Sequence, residues 1–312
     1  MMLSQVIRQY VDLKQGMGCR FHTESVILKA FCKALGDIPM SDVTAERVMA
    51  YITGTGQVTR FWHRKLDALR GLYRFAVGRG YAISSPLPKR LPSPHRVFTP
   101  YIYSLDELQR LMSASDYCVS GRMKLQTSTL RTLLLLLYGA GLRISEAIFL
   151  TRQDVELPNS LLTIRESKFY KTRFVPIGSR LRDALEAYEK KQTRPLGADE
   201  TFFVTRTGQP VTRSLAESAF ARLRRHAAIH RDDGGRYQPR LHDLRHTFAV
   251  HRLVAWYREG ADVQRLLPQL STFLGHVHIS ATQRYLTMTP DLLCHASMRF
   301  EKYALPKEIY HD

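Results

Sequence analysis

The chain has 312 residues, 44% of them hydrophobic, which is enough for two domains that each bury a core. Its 46 Lys and Arg outnumber 28 Asp and Glu, giving a formal charge of +18 and a pI near 10.0. No apolar run nears the ~20 residues that cross a bilayer, and the amphipathic start MMLSQVIRQYVDLK lacks the apolar stretch of a secretory signal, so a cytoplasmic location without membrane contact is expected.

The basic surplus is not one tail. Residues 1–95 hold 14 basic and 6 acidic side chains, and the remainder 32 and 22. Two basic halves suit a clamp that meets a polyanion from both sides; the bland alternative is a basic protein that binds no nucleic acid. Cys19, Cys32, Cys118 and Cys294 lie far apart without metal or disulfide spacing, as in a reduced cytosolic protein.

In chain order, apolar spacing first predicts about four helices. Val6, Tyr10 and Leu13 mark one, Val26, Ile27, Ala30, Phe31 and Ala34 a second, and Val43 to Ile52 a third. The fourth, Thr59 to Val77, puts Phe61, Leu66, Leu69, Leu72, Tyr73 and Ala76 on one side. Its basic residues lie largely elsewhere, so Arg60, Arg64 and Lys65 are candidate DNA contacts. Ser84 to Ser104 then contains five of the fourteen prolines, which favours extended backbone. The expected division is a helical domain at 1–90, a basic linker at 91–103 and a second domain at 104–312, with Lys89, Arg90 and Arg96 placed to track phosphates.

The second domain opens on a capping box, Ser104-Leu-Asp-Glu107. A leucine-rich helix follows from about Ser128 to Tyr138, broken by Gly139 and Gly141. Period-two alternation predicts a hairpin, LLTIRE and KTRFVPI, around the turn SKFY, and a further strand at TFFVT. A second capping box, Ser214-Leu-Ala-Glu217, starts a basic helix, and the chain after Arg240 reads as mostly helical to about Tyr303. The fold class is therefore mainly α with a small antiparallel β-sheet (α+β).

Several motifs here carry chemistry suited to a phosphate diester, which needs positive charge on its oxygens, a proton donor for the leaving alkoxide and an activated nucleophile. Arg143, in GAGLRISE, starts a helix, and its planar fork can hold two phosphate oxygens. Glu146 could orient that fork, although an Arg/Glu pair at this spacing is most often an ordinary surface ion pair. Lys168 at the hairpin tip could protonate a 5′-oxygen; Lys171 and Arg173 share the loop and compete for the role. HDLRH, from His242 to His246, superficially mimics the zinc motif HExxH. Its shorter acid, its embedded Arg245 and the lack of a third ligand argue against metal. His242 and Arg245 instead lie one turn apart, where both can face one oxyanion; His242 could then exchange a proton with the nucleophile, and Arg245 would complete the clamp begun by Arg143. His276 follows Gly275, and a lone histidine is more often structural than catalytic. Tyr285 is one of fifteen tyrosines, a weak nucleophile unless cations stabilise its phenolate.

Taken together and in this order, GLRISE, the strand–lysine–strand element ending KTRFVPI, HDLRH, LGH and TQRY resemble a tyrosine recombinase of the phage integrase family. The likeness is to compact two-domain members, Xer-like recombinases and mobile-element integrases. It spans residues 100–290, and the helical N-terminal part is similar to the family's core-binding domain. It implies a phosphate-activating pocket of Arg143, Lys168, His242, Arg245 and His276, with Tyr285 as nucleophile and Glu146 in support. Lys168 matches the family lysine by its distance from Val175-Pro176, but SKFY replaces the usual glycine-rich turn. Lys171 and Arg173 remain DNA-contact candidates. The resemblance further implies a 3′-phosphotyrosyl intermediate, no cofactor, ATP or metal, and four protomers on two DNA duplexes, alike or paired with a related recombinase. The stretch between HDLRH and LGH is longer than in compact members. A type IB topoisomerase-like enzyme would share the pocket, and a non-catalytic DNA-binding accessory protein would share the charge.

Overall fold

The computed structural model describes residues 1–54, 58–88, 99–114, 125–165, 172–192, 197–235 and 237–288, with residues 292, 294, 297 and 298. The chain divides into two compact units, Met1–Phe98 and Thr99–Asp312.

The first unit is a helical bundle of α1 (Leu3–Gly16), α2 (His22–Leu35), α3 (Ala45–Thr53) and α4 (Arg60–Gly78). Thr44 and Thr59 start α3 and α4 by accepting from the amides of Arg47 and Trp62 at 3.4 and 3.2 Å. The core joins Leu3, Val6 and Tyr10 to Leu28 and Phe31 and to Leu66, Leu69 and Tyr73. The buried stripe of α4 begins at Trp62, one position later than the sequence pattern suggests, and Phe61 is 53% exposed. Leu13 and Val26 are likewise exposed, because the apolar stripes of α1 and α2 are narrower than their composition implies.

The second unit surrounds α6 (Thr127–Gly139), a helix whose leucines Leu130, Leu133, Leu134, Leu136 and Leu137 are all buried. Packed around it are α5 (Leu105–Ala114), α7 (Ile144–Ile148), α8 (Ser179–Lys190), α9 (Arg213–His226), α10 (Leu241–Arg258), α11 (Val263–Leu274) and the single turn α12 (Ser280–Gln283). The expected box at Ser104 and Glu107 forms reciprocally, at 3.1 and 2.8 Å. The helix expected to start at Ser214 is instead capped by Thr212, whose hydroxyl accepts from Leu215, while Glu217 is taken by Arg213 at 2.7 Å.

The sheet is antiparallel with order β1 (Val155–Glu156), β2 (Leu161–Ile164), β3 (Arg173–Pro176). Leu162 pairs with Val155 on one side and Val175 on the other. TFFVT is not a strand: among the described residues it makes only isolated bridges, Thr151 to Thr201 and Val204 to Pro210. Phe202 and Phe203 are both fully buried against Tyr188. The long segment after HDLRH completes α10 and forms α11, which Asp262 caps through the Arg265 amide. These two helices return the chain to the start of α10. Among the described residues no helix is long and apolar enough to cross a membrane.

Candidate active site

Glu146 is the hub of the site. It sits in the first turn of α7, where its Oε2 accepts the Arg143 amide at 2.9 Å and its Oε1 accepts Arg143 Nη1 at 2.6 Å. Arg173 from β3 grips the same carboxylate through both terminal nitrogens, at 3.0 and 2.9 Å. A third guanidinium, Arg245, has its Nη1 3.8 Å away. Burial alone would raise the Glu146 pKa, but the hydrogen bonds and charges of Arg173 and Arg143 outweigh it and bring the pKa to about 2. The carboxylate is therefore fixed as an anion that aims two arginines.

Arg245, the fifth residue of α10, is 1% exposed. Its Nη1 donates to the Gly141 carbonyl at 2.7 Å and its Nη2 to the Leu274 carbonyl at 2.5 Å. Burial, then the neighbouring Arg143 charge, lowers its pKa to about 10, so it stays charged in neutral solution. Two left-handed glycines make these contacts possible. Gly141 has φ +59°, and a Cβ there would lie 2.5 Å from Phe248. Gly275, at φ +67°, ends α11, and a Cβ there would lie 2.8 Å from Arg173 Nη1. Gly275 also offers its carbonyl to Arg143 Nη2 at 3.1 Å.

Tyr285 lies in the short 3₁₀ turn Arg284–Thr287 and is 2% exposed. Its hydroxyl is 3.1 Å from His246 Nδ1. Burial raises its pKa, opposed by the charge and hydrogen bond of Arg245 and the charge of Arg143. The His276 ring stacks near the phenol at 6.1 Å between centroids, and its Nδ1 is fixed by the buried Thr282 hydroxyl at 2.7 Å. The His242 ring meets His246 edge-on at 4.8 Å. All three imidazoles are held neutral, first by burial: His242 near 4 with Arg245 and Arg240, His246 near 3 with His242 and Arg245, His276 near 4 with Arg245 and Arg143.

The structure thus gathers Arg143, Glu146, His242, Arg245, His276 and Tyr285 in one place. Lys168 and Lys171, with Lys89, Arg90 and Arg96, lie outside the described residues. Two expected DNA contacts are placed differently. Arg173 is 10% exposed and spent on Glu146 and the Phe273 carbonyl, because β3 runs beside the end of α11. Lys65 donates to the Tyr51 carbonyl at 2.8 Å and covers the Tyr51 ring, closing the end of α3. Arg64 is 54% exposed, with Glu24 at 3.7 Å. Sequence reasoning missed His246 and Thr282. The i,i+4 spacing of HDLRH did signal that His246 shares a helix face with His242, but it was read only as a metal pattern. Among the described residues no three His, Cys, Asp or Glu side chains converge as a metal cage.

A family model described as the phage integrase family matches residues 103–291. The chain belongs to this family of tyrosine recombinases. It is 33% identical over 95% of its length, and 95% of the relative's, to an integrase/recombinase of Sinorhizobium fredii. The fold of the Tn1549 transposon integrase, solved with transposon right end DNA, matches with a TM-score of 0.71 at 16% identity, covering 98% of this chain and 100% of that one. A lambda integrase tetramer bound to a Holliday junction gives 0.63 at 17% identity, covering 89% and 78%. This tyrosine recombinase is thus an enzyme of DNA strand breakage and rejoining that acts in site-specific recombination.

Proposed function

We propose that Tyr285 is the nucleophile of this recombinase and that Arg143, His242, Arg245 and His276 hold the scissile phosphate, with Glu146 positioning the arginines. The observation that carries the reading is the buried Tyr285 hydroxyl, 3.1 Å from His246 of its own chain and subject to the Arg245 charge. The phenol attacks phosphorus, a 3′-phosphotyrosyl bond forms, and the 5′-oxygen leaves with a proton from Lys168, or Lys171 in its place. The 5′-hydroxyl of a partner strand then attacks the phosphotyrosyl bond, so bond energy is conserved and no ATP is consumed. Fixed guanidinium charges supply the stabilisation that a metal gives elsewhere. Strand exchange between two duplexes calls for four protomers, of this chain or of this chain with a related recombinase. The helical unit at 1–90 grips DNA, with Arg60, Arg64, Lys89 and Arg90 as phosphate contacts, and the protein works in the cytoplasm for a mobile element.

Tyr285→Phe should bind a nicked duplex as the wild type does and form no covalent adduct. An adduct in that variant refutes the assignment. Relaxation of supercoiled plasmid by a monomer, without exchange between sites, would favour a type IB topoisomerase-like activity. Binding with no adduct in the wild type would favour a DNA-binding accessory role.

A further inference from the structure

The hydrogen bond between His246 and Tyr285 assigns a role that the phosphate clamp does not need. We propose that His246 is a catalytic residue, the group that takes the Tyr285 proton during attack and returns it during joining; this rests on Tyr285 being the nucleophile. The geometry distinguishes His246 from the other histidines. Its Nδ1 is 3.1 Å from the phenolic oxygen. His276 turns its own Nδ1 to Thr282, and its ring lies beside the phenol. His242, one turn earlier on α10, meets the edge of the His246 ring. The nucleophile's hydroxyl therefore faces the second histidine of HDLRH.

The ring must carry its proton on Nε2, so that Nδ1 is an acceptor. A neutral imidazole is the form the pocket keeps, by burial and by the charges of Arg245 and Arg240. A scissile phosphate brings an anion to Arg143 and Arg245 and offsets part of that field, raising the basicity of Nδ1 as the target arrives. In the forward step the Oη–H bond breaks, its proton goes to Nδ1, and Oη bonds to phosphorus. The bond from phosphorus to the 5′-oxygen breaks, and that oxygen takes its proton from a different group. In the joining step a 5′-hydroxyl returns its proton to that other group as its oxygen bonds to phosphorus, the phosphotyrosyl bond breaks, and Nδ1–H reprotonates Oη. No oxidant, metal or added nucleotide enters.

The test separates the two ends of the reaction. In single-turnover assays on a nicked duplex, His246→Ala should slow adduct formation by about 100-fold or more, the range of a lost general base. The defect should persist when sulfur replaces the bridging 5′-oxygen, because a thiolate leaves without a proton. Recovery to within about threefold of wild type on the sulfur substrate would move His246 to the leaving group and overturn the inference. For joining, the probe is DNA carrying a 3′-p-nitrophenyl phosphate, whose phenolate also leaves unaided. Tyr285→Phe and Tyr285→Phe/His246→Ala should join it at the same rate, which also shows that the doubly substituted pocket is folded. A further drop of about tenfold in the double variant would mean that His246 serves the pocket as a whole, and the proposal fails. His246→Ala within about threefold of wild type, beside an inactive Tyr285→Phe, defeats this inference alone. An adduct in Tyr285→Phe instead defeats the nucleophile reading beneath it.

Discussion

Replacing Glu146 with Gln is the sharpest perturbation of the arginine cluster. The carboxylate accepts from the Arg143 amide, from Arg143 Nη1 and from both terminal nitrogens of Arg173. A glutamine keeps the shape but loses the charge, and its amide nitrogen must face a guanidinium that can only donate. The magnitude follows from linkage: the Glu146 pKa falls from 4.5 to about 2, which at ~1.36 kcal/mol per unit makes the anion about 3 kcal/mol more favourable in the folded state. That sits at the lower end of the ~3–5 kcal/mol lost when a buried ion pair is broken from one side. The native protein carries Trp62 in the first unit and Trp256 in the second, so a Trp62→Phe background lets fluorescence report the second unit alone. With a urea slope of ~2 kcal/mol per M, the midpoint should drop by roughly 1.5 M, and adduct formation should fall with it. Because the folded pKa is depressed, the contribution is present above 4.5 and fades as pH falls towards about 2, so the two proteins should converge in acid. A midpoint shift under ~0.3 M with an undiminished adduct rate would refute the view that Glu146 aims the arginines.

The glycines and histidines give two further predictions. Gly275→Ala combines a φ of +67° with a Cβ 2.8 Å from Arg173; it should cost about 1–3 kcal/mol and slow cleavage, whereas Gly178→Ala, whose Cβ meets open space, should do neither. His242 and His246 have folded pKa values near 4 and 3 against an ordinary 6.5, so the folded state binds fewer protons than the unfolded chain between those limits. Stability of the second unit should be full above pH 6.5 and fall below it, by up to ~1.4 kcal/mol per pH unit for each histidine. A urea midpoint that stays flat between pH 7 and 5 would contradict their burial as neutral rings.

Much of the site was legible because its chemistry is local. Arg143 and Glu146 share one helical turn, as do His242 and Arg245, and neither pair needs tertiary knowledge to be recognised. What escaped was long-range. Arg173 looks like a basic hairpin residue until β3 is seen beside the end of α11, which converts it from a DNA contact into a clamp on Glu146. Lys65 looks solvated until the end of α3 presents the Tyr51 carbonyl to it. His246 differs in that its helix face was readable, but which group would meet that face depended on where the chain folds 39 residues later. TFFVT has the composition of a strand, yet among the described residues Thr201 and Val204 make only isolated bridges, so no ladder forms.

If Tyr285 attacks a phosphate held by these arginines, as proposed, the charge balance of the pocket explains why it would favour the phosphoryl transfer state over bare solvent. Arg143, Arg173 and Arg245 face a single carboxylate, Glu146, while His242, His246 and His276 are neutral. A phosphodiester brings one negative charge, and more negative charge gathers on its oxygens as the phenol attacks. The surplus is therefore only partly met in the ground state and more fully met at the transition state, which is the condition for lowering a barrier rather than merely binding. The arginines do not need to move to meet it, because backbone carbonyls of Gly141, Leu274 and Gly275 already hold their forks in place. Burial, aided by the same surplus, keeps His246 from carrying a proton before DNA is present, so the group proposed to accept the phenolic proton is empty when the phosphate arrives.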